Sequence, residues 1–130
     1  MEARTLAIRC AELIQAKLGH DIVLLDLRGL SPIADYFVVA TAGSTVHAQA
    51  LAREVEEKLK QEGERPHHVE GLDHAHWILL DFVDVVVHIF LGDVRLFYGL
   101  ERLWGDVPQI RFTEKIGGQR RQTMTRGGAD

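Results

Sequence analysis

A chain of 130 residues with 46% hydrophobic content and a formal charge of −4 suffices for one globular domain that hides roughly two thirds of its unfolded surface without disulfide staples. The single cysteine, Cys10, rules out an intrachain bridge and suits a reducing, cytoplasmic setting. The longest apolar stretch, Ile78 to Leu91, contains Asp81, Asp84 and His88 and falls short of the roughly 20 residues of a membrane span, so no membrane partner is expected.

Charge separates a body from a tail. Up to Ile110 there are 10 Lys and Arg against 17 Asp and Glu, a formal −7, whereas residues 111–130 hold 5 against 2, a formal +3. An acidic body is poorly suited to grip nucleic acid phosphates and better suited to a basic protein. The tail RFTEKIGGQRRQTMTRGGAD has two Gly-Gly pairs and no sustained period, so it is expected to be a disordered extension of the 1–110 domain, with incidental RNA contact.

In chain order, MEARTLAIRCAELIQAKL carries Glu2 and Glu12 and reads as a structural helix instead of a secretion signal. Its apolar positions Leu6, Cys10, Leu13, Ile14 and Leu18 share one face, which predicts a helix from residue 2 to 18 stopped by Gly19. The runs DIVLLDL (21–27) and DYFVVAT (35–41) are β-branched and aromatic, and the turn-rich RGLSPIA between them predicts two strands. Ser44 is placed to cap a second helix whose buried stripe is Ala48, Leu51, Ala52, Val55 and Leu59, ending before Gly63. PHHVEG predicts a short strand, WILLDFVDVVVHIF two more, and Asp93 can cap a last helix through Trp104. The order is α-β-β-α-β-β-β-α, an α/β single layered domain. A helix between strands permits a parallel crossover and the short link before Val85 demands a hairpin, so the β-sheet should be mixed.

Four chemistries compete at the polar positions. HHVEGLDHAH gathers His67, His68, Glu70, Asp73, His74 and His76, but at no spacing that defines a zinc site, so solvated loop histidines are the expectation. TAGST turns from strand to helix and would aim backbone N–H groups at an anion. Nucleotidyltransferase-type chemistry there also needs carboxylates aligned on strands, and Asp81 and Asp84 stand three apart across a turn. Cys10 lies on a buried stripe, and His47 can approach Ser44 without a fixed acid or oxyanion donor. The Gly-rich fingerprint of a dinucleotide fold is missing after the first strand. No cofactor, metal or catalytic residue is therefore expected.

Docking is the remaining reading of WILLDFVDVVVHIF. With FVD as the turn and Asp81 opposite Val85, Trp77, Leu79 and Asp81 share a face with Val85, Val87 and Ile89. Ile78, Leu80, Val86, His88 and Phe90 take the other. Both faces are largely apolar, so either helices cover both or a partner covers one. In the last helix Val94, Phe97, Leu100 and Trp104 point inward, leaving Arg95, Tyr98 and Arg102 outside.

The segments ADYFVVATAGSTVHAQALA, VEGLDHAHWILLDFVDVVVHIF and RLFYGLERLWGD together resemble the ribosomal silencing factor family, also called Iojap or RsfS, over about residues 2–108. The resemblance implies an α/β fold that is nucleotidyltransferase-like without catalytic acids, and no enzyme activity. It implies binding to ribosomal protein fourteen on the large ribosomal subunit, which sterically blocks joining of the small subunit and represses translation. The partner-binding residues it carries over are Glu70, Trp77, Asp81, His88, Phe90, Arg95 and Tyr98. Where that family often has a glycine after the threonine and a basic residue before the histidine, this chain has Ala42 and Val46, so the turn is not carried over as a binding element. An exposed apolar sheet face further leads to the expectation of a homodimer when free. The alternatives left open are a divergent nucleotidyltransferase-like enzyme and a metal-dependent hydrolase using the histidine-rich loop.

Overall fold

Leu6, Cys10, Leu13 and Ile14 are buried along α1 (Ala3–Ala16), the stripe that helical spacing predicts. The helix ends two residues earlier than expected, and the predicted core residue Leu18 is 80% exposed. Its backbone is left-handed (φ 67°), with its N–H on the Gln15 carbonyl at 3.0 Å. Gly19 follows that turn instead of making it. Its N–H bonds the Ile14 carbonyl at 2.9 Å, and a Cβ there would run into the Ile14 side chain. The chain can reverse this tightly into the sheet only if the helix stops at Ala16 and a side-chain-free residue passes over its last turn.

The computed structural model describes residues 1–92, 94, 105–112 and 122–126, the last five by their backbone. After α1 come β1 (His20–Asp26), β2 (Tyr36–Ala42), α2 (Thr45–Gln61), β3 (His68–Glu70), β4 (Trp77–Asp81), β5 (Val85–Leu91), β6 (Pro108–Phe112) and β7 (Gln122–Arg126). The helix expected from Asp93 through Trp104 lies outside the described residues except for Val94. Among the described residues no helix is long and apolar enough to cross a membrane.

The strands form one sheet in the order β3-β4-β5-β2-β1-β6-β7. β2 and β5 are parallel, joined by a crossover that includes α2, and every other neighbour is antiparallel, so the sheet is mixed as expected. β6 and β7 are strands the element order did not contain. The boundary expected at residue 110 falls inside β6, and part of the stretch expected to be disordered pairs with it, Ile110 opposite Met124. Main-chain hydrogen bonding recruits an edge strand without needing an apolar period, so QTMTR had no pattern to betray it.

Both sheet faces are lined with apolar side chains, but α1 and α2 lie on the same one. Leu6, Cys10, Ile14, Leu51, Val55 and Leu59 pack there on Ile22, Leu24, Val38, Ala40, Val87 and Ile89. On the opposite face Val23, Leu25, Phe37, Val39, Val86 and Phe90 form a second cluster with Leu27, Ala34 and Val107, against which Trp77, Leu79 and Val94 are half-buried.

The β4–β5 register departs from expectation by one residue. Asp81 stands opposite Val86 and Trp77 opposite Phe90. The loop is two residues, Val83 and Asp84, because the Phe82 N–H bonds the Val85 carbonyl at 2.8 Å and extends the ladder inward. A two-residue hairpin turn of this kind wants a positive φ at its first position, and Val83 supplies it at 77° although it is β-branched. With a side-chain period of two, this slip moves all of β5 to the other face and brings His88 and Phe90 beside Trp77.

Val83 is half exposed and loses little packing when truncated. The strain it carries, about 1–3 kcal/mol, exceeds the backbone entropy cost of glycine, about 1 kcal/mol. Val83→Gly is expected to raise unfolding stability by about 1 kcal/mol in urea titrations.

Candidate docking surface

The antiparallel and parallel registers place residues from four strands in rows on the face away from α1 and α2. One row is Glu70, Leu79, His88 and Val39; the next is His68, Asp81, Val86 and Phe37; Trp77 and Phe90 form the third. Five of the expected partner-binding residues, Glu70, Trp77, Asp81, His88 and Phe90, therefore share one face. Arg95 and Tyr98 lie outside the described residues.

Trp77 is half-buried in the end row of this group. Gly71, with φ 80°, crosses so close to the Trp77 carbonyl that a Cβ would overlap it, which pins the start of β4. The indole stacks on Phe90 at 5.1 Å between centroids and 24° between planes. Its Nε1–H donates to Nδ1 of His88 at 3.1 Å. The His88 ring meets the Phe37 ring nearly edge-on at 4.6 Å and lies almost parallel to Phe90, 9° apart at 6.3 Å. Such offset and edge-to-face contacts satisfy the ring quadrupoles and hold each ring to one orientation.

Two expected contact residues are corrected by this packing. Phe90 is fully buried and His88 is 4% exposed, so neither presents a surface to another molecule. They form the floor under Trp77, a consequence of the register that turned them to this side. Glu70 is exposed, its carboxylate 3.3 Å from Nε2 of His68. Asp81 is half-buried and accepts the Val83 N–H at 2.7 Å. Leu79, half-buried two residues from Trp77, belongs to the same patch although no polar feature marked it in the sequence.

Accepting at Nδ1 requires His88 to carry its proton on Nε2. That nitrogen is buried with no hydrogen-bond partner among the described residues. Burial lowers the imidazole pKa to about 4, against a smaller opposing pull from the Asp81 charge. The neutral ring is thus built into the fold.

The other candidate chemistries are absorbed by local structure. Ser44 caps α2, its hydroxyl accepting the His47 N–H at 3.0 Å. The Gly43 N–H, which could have met an anion, donates to Nδ1 of His47 at 3.0 Å, and Nε2 of that ring lies 2.8 Å from the Lys17 carbonyl. Cys10 is buried in the helix-side core, and burial pushes its thiol well above the usual range. Among the described residues no three His, Cys, Asp or Glu side chains group so as to hold a metal ion.

Known proteins are similar to this chain in sequence and fold. The family model described as ribosomal silencing factor during starvation matches residues 1–129, a span that includes the tail expected to lie outside the resemblance. A ribosomal silencing factor of Bacillus subtilis is 45% identical over 92 residues, 71% of this chain and 78% of that protein. A crystal structure from Chromobacterium violaceum superposes with a TM-score of 0.78 at 37% identity, covering 81% of this chain and 88% of that one. One from Bacillus halodurans gives 0.68 at 34% identity, covering 79% and 93%.

The buried neutral His88 sets a pH dependence. Its folded pKa, about 4, lies below the unfolded value of roughly 6.5, so on acidification the unfolded chain takes the proton first. The stabilising contribution is fully present above about pH 6.5 and is lost as pH falls through the folded value, in all about 3 kcal/mol. His88→Asn is expected to remove that part of the acid destabilisation, measured as the difference between wild-type and variant urea midpoints from about pH 7 to about pH 4.

Proposed function

The chain belongs to the ribosomal silencing factor family, and on that premise we propose that it binds the large ribosomal subunit through ribosomal protein fourteen and sterically blocks joining of the small subunit. Family membership itself makes the protein ribosome-associated and regulatory in translation. The observation that carries the finer reading is Trp77, half-buried on the sheet face that α1 and α2 leave uncovered and braced from beneath by Phe90 and His88. An aromatic held rigidly and only partly enclosed is the type of residue that dominates binding energy when a partner completes its burial.

Around that anchor the chemistry suits a basic protein. Glu70 and Asp81 lie one and two rows along from Trp77 on the same face, within a body of formal charge −7, and would steer and orient a cationic partner. Arg95 and Tyr98 join the proposed contact surface by family resemblance. The α/β architecture serves on this reading as a scaffold, with repression arising from occupied space and no turnover. The proposed place of action is the cytoplasm, where subunits meet. When free, two copies would cover each other's Trp77 face, a dimer that dilution-dependent light scattering would reveal.

Mixing the protein with isolated subunits and resolving them on sucrose gradients is expected to show stoichiometric loss of joined ribosomes without nucleotide or added metal. Trp77→Ala should weaken large-subunit binding about 30-fold, the equivalent of about 2 kcal/mol. Subunit joining unaffected by a saturating amount of protein would refute the reading. The basic segment is proposed to add an incidental ribosomal RNA contact. Because β7 is part of the sheet, the suitable test is Arg120→Gln with Arg121→Gln instead of deletion. The salt slope of binding should fall by about two counterions, and an unchanged slope removes the contact.

A further inference from the structure

We propose that His88 is a positioning residue for docking: its Nδ1 lone pair accepts the Trp77 indole N–H and holds the indole in its docking orientation, while His88 itself touches no partner. This rests on the docking reading above. The geometry is specific. The donor and acceptor nitrogens are 3.1 Å apart, and only the tautomer with its proton on Nε2 can accept there. The ring is prevented from turning by Phe37 across its edge and Phe90 beside it. The Trp77 main chain is held in turn by the Gly71 crossing.

The arrangement also has a cost that packing alone does not explain. His88 is 4% exposed, and its Nε2 finds no partner among the described residues. Its neighbours in the row, Leu79 and Val39, are aliphatic, so an aliphatic or phenyl group would fill this interior position without a buried unsatisfied donor. What an imidazole adds is one acceptor at Nδ1. Without it, the indole N–H loses the acceptor that fixes it, and a docking anchor that samples several orientations must be ordered again upon binding.

The test pairs His88→Phe, which keeps a ring and removes the acceptor, with His88→Asn, whose Oδ1 can stand near the position of Nδ1. Affinity for isolated large subunits should fall about tenfold in H88F and stay within about twofold of wild type in H88N. In a Trp77→Phe background, H88F should cause no further loss, because the anchor it positions is gone. In parallel, solvent exchange of the indole N–H is followed by NMR with 15N-labelled tryptophan, the Trp77 signal being the one that vanishes in W77F. It should quicken about tenfold in H88F and remain slow in H88N. Wild-type affinity in H88F, or an equal loss from H88F with and without Trp77, overturns the proposal, as does an unprotected indole in the wild-type protein. Circular dichroism melts establish that each variant folds, and His88→Leu replaces H88F if that one does not. Should wild-type protein fail to bind subunits at all, the docking reading falls, and with it the link from His88 to docking; the exchange data would still report whether His88 holds the indole.

Discussion

Everything on the candidate surface depends on one cross-strand pairing, Trp77 opposite Phe90. A sheet has only two sides, and a strand displaced by one residue exchanges them completely. In the observed register β5 sends Val85, Val87 and Ile89 to the helices and Val86, His88 and Phe90 to the opposite face. The alternative would put His88 beneath α1 and α2, within a dry aliphatic layer. It would also leave the Trp77 indole over aliphatic side chains with no acceptor. The strained tip at Val83 is the local cost of the pairing, and the parallel contact with β2, Val39 beside His88, holds it from the other side.

The same register accounts for how the polar side chains of this largely apolar hairpin are used. Asp81 is engaged by the turn, accepting the Val83 N–H. His88 is engaged by Trp77. At the start of α2, Ser44, Gly43 and His47 satisfy one another and the Lys17 carbonyl. Groups that sequence proximity offers as nucleophile, base or anion cradle are occupied with holding turns and rings in place, and a group whose lone pair or proton is already committed contributes little to chemistry on a substrate. What remains on that surface is the half-buried Trp77 and Leu79, the exposed Glu70 carboxylate and the half-buried Asp81.

Helix placement gives the surface its asymmetry. Both α1 and α2 lie on one side, joined at the surface by Arg9 forking onto Glu62 at 2.8 and 3.1 Å. The opposite side is apolar enough to need cover, yet among the described residues its cluster draws nothing from either helix. Both clusters are buried at their centres, and the second differs in carrying the half-buried Trp77 and Leu79 beside it.

How much of this was legible in the sequence depended on the range of the interaction responsible. The stripe of α2, the Ser44 cap, the positions of β1 to β5 and the mixed sheet all followed from spacing and turn chemistry, because helix faces and hairpins are decided by residues a few positions apart. Leu18 misled because the end of α1 is set by how Gly19 packs over Ile14, and β7 because an edge strand is enrolled by its neighbour's backbone. Composition and periodicity alone determined a single α/β domain with an apolar, tryptophan-bearing hairpin. Only the tertiary structure decided which side of that hairpin His88 and Phe90 occupy, since both sides are apolar and hydrophobic pattern then cannot choose a register. That choice belongs to the two-residue turn and the neighbouring strands, whose hold on β5 arises from residues distant in the chain.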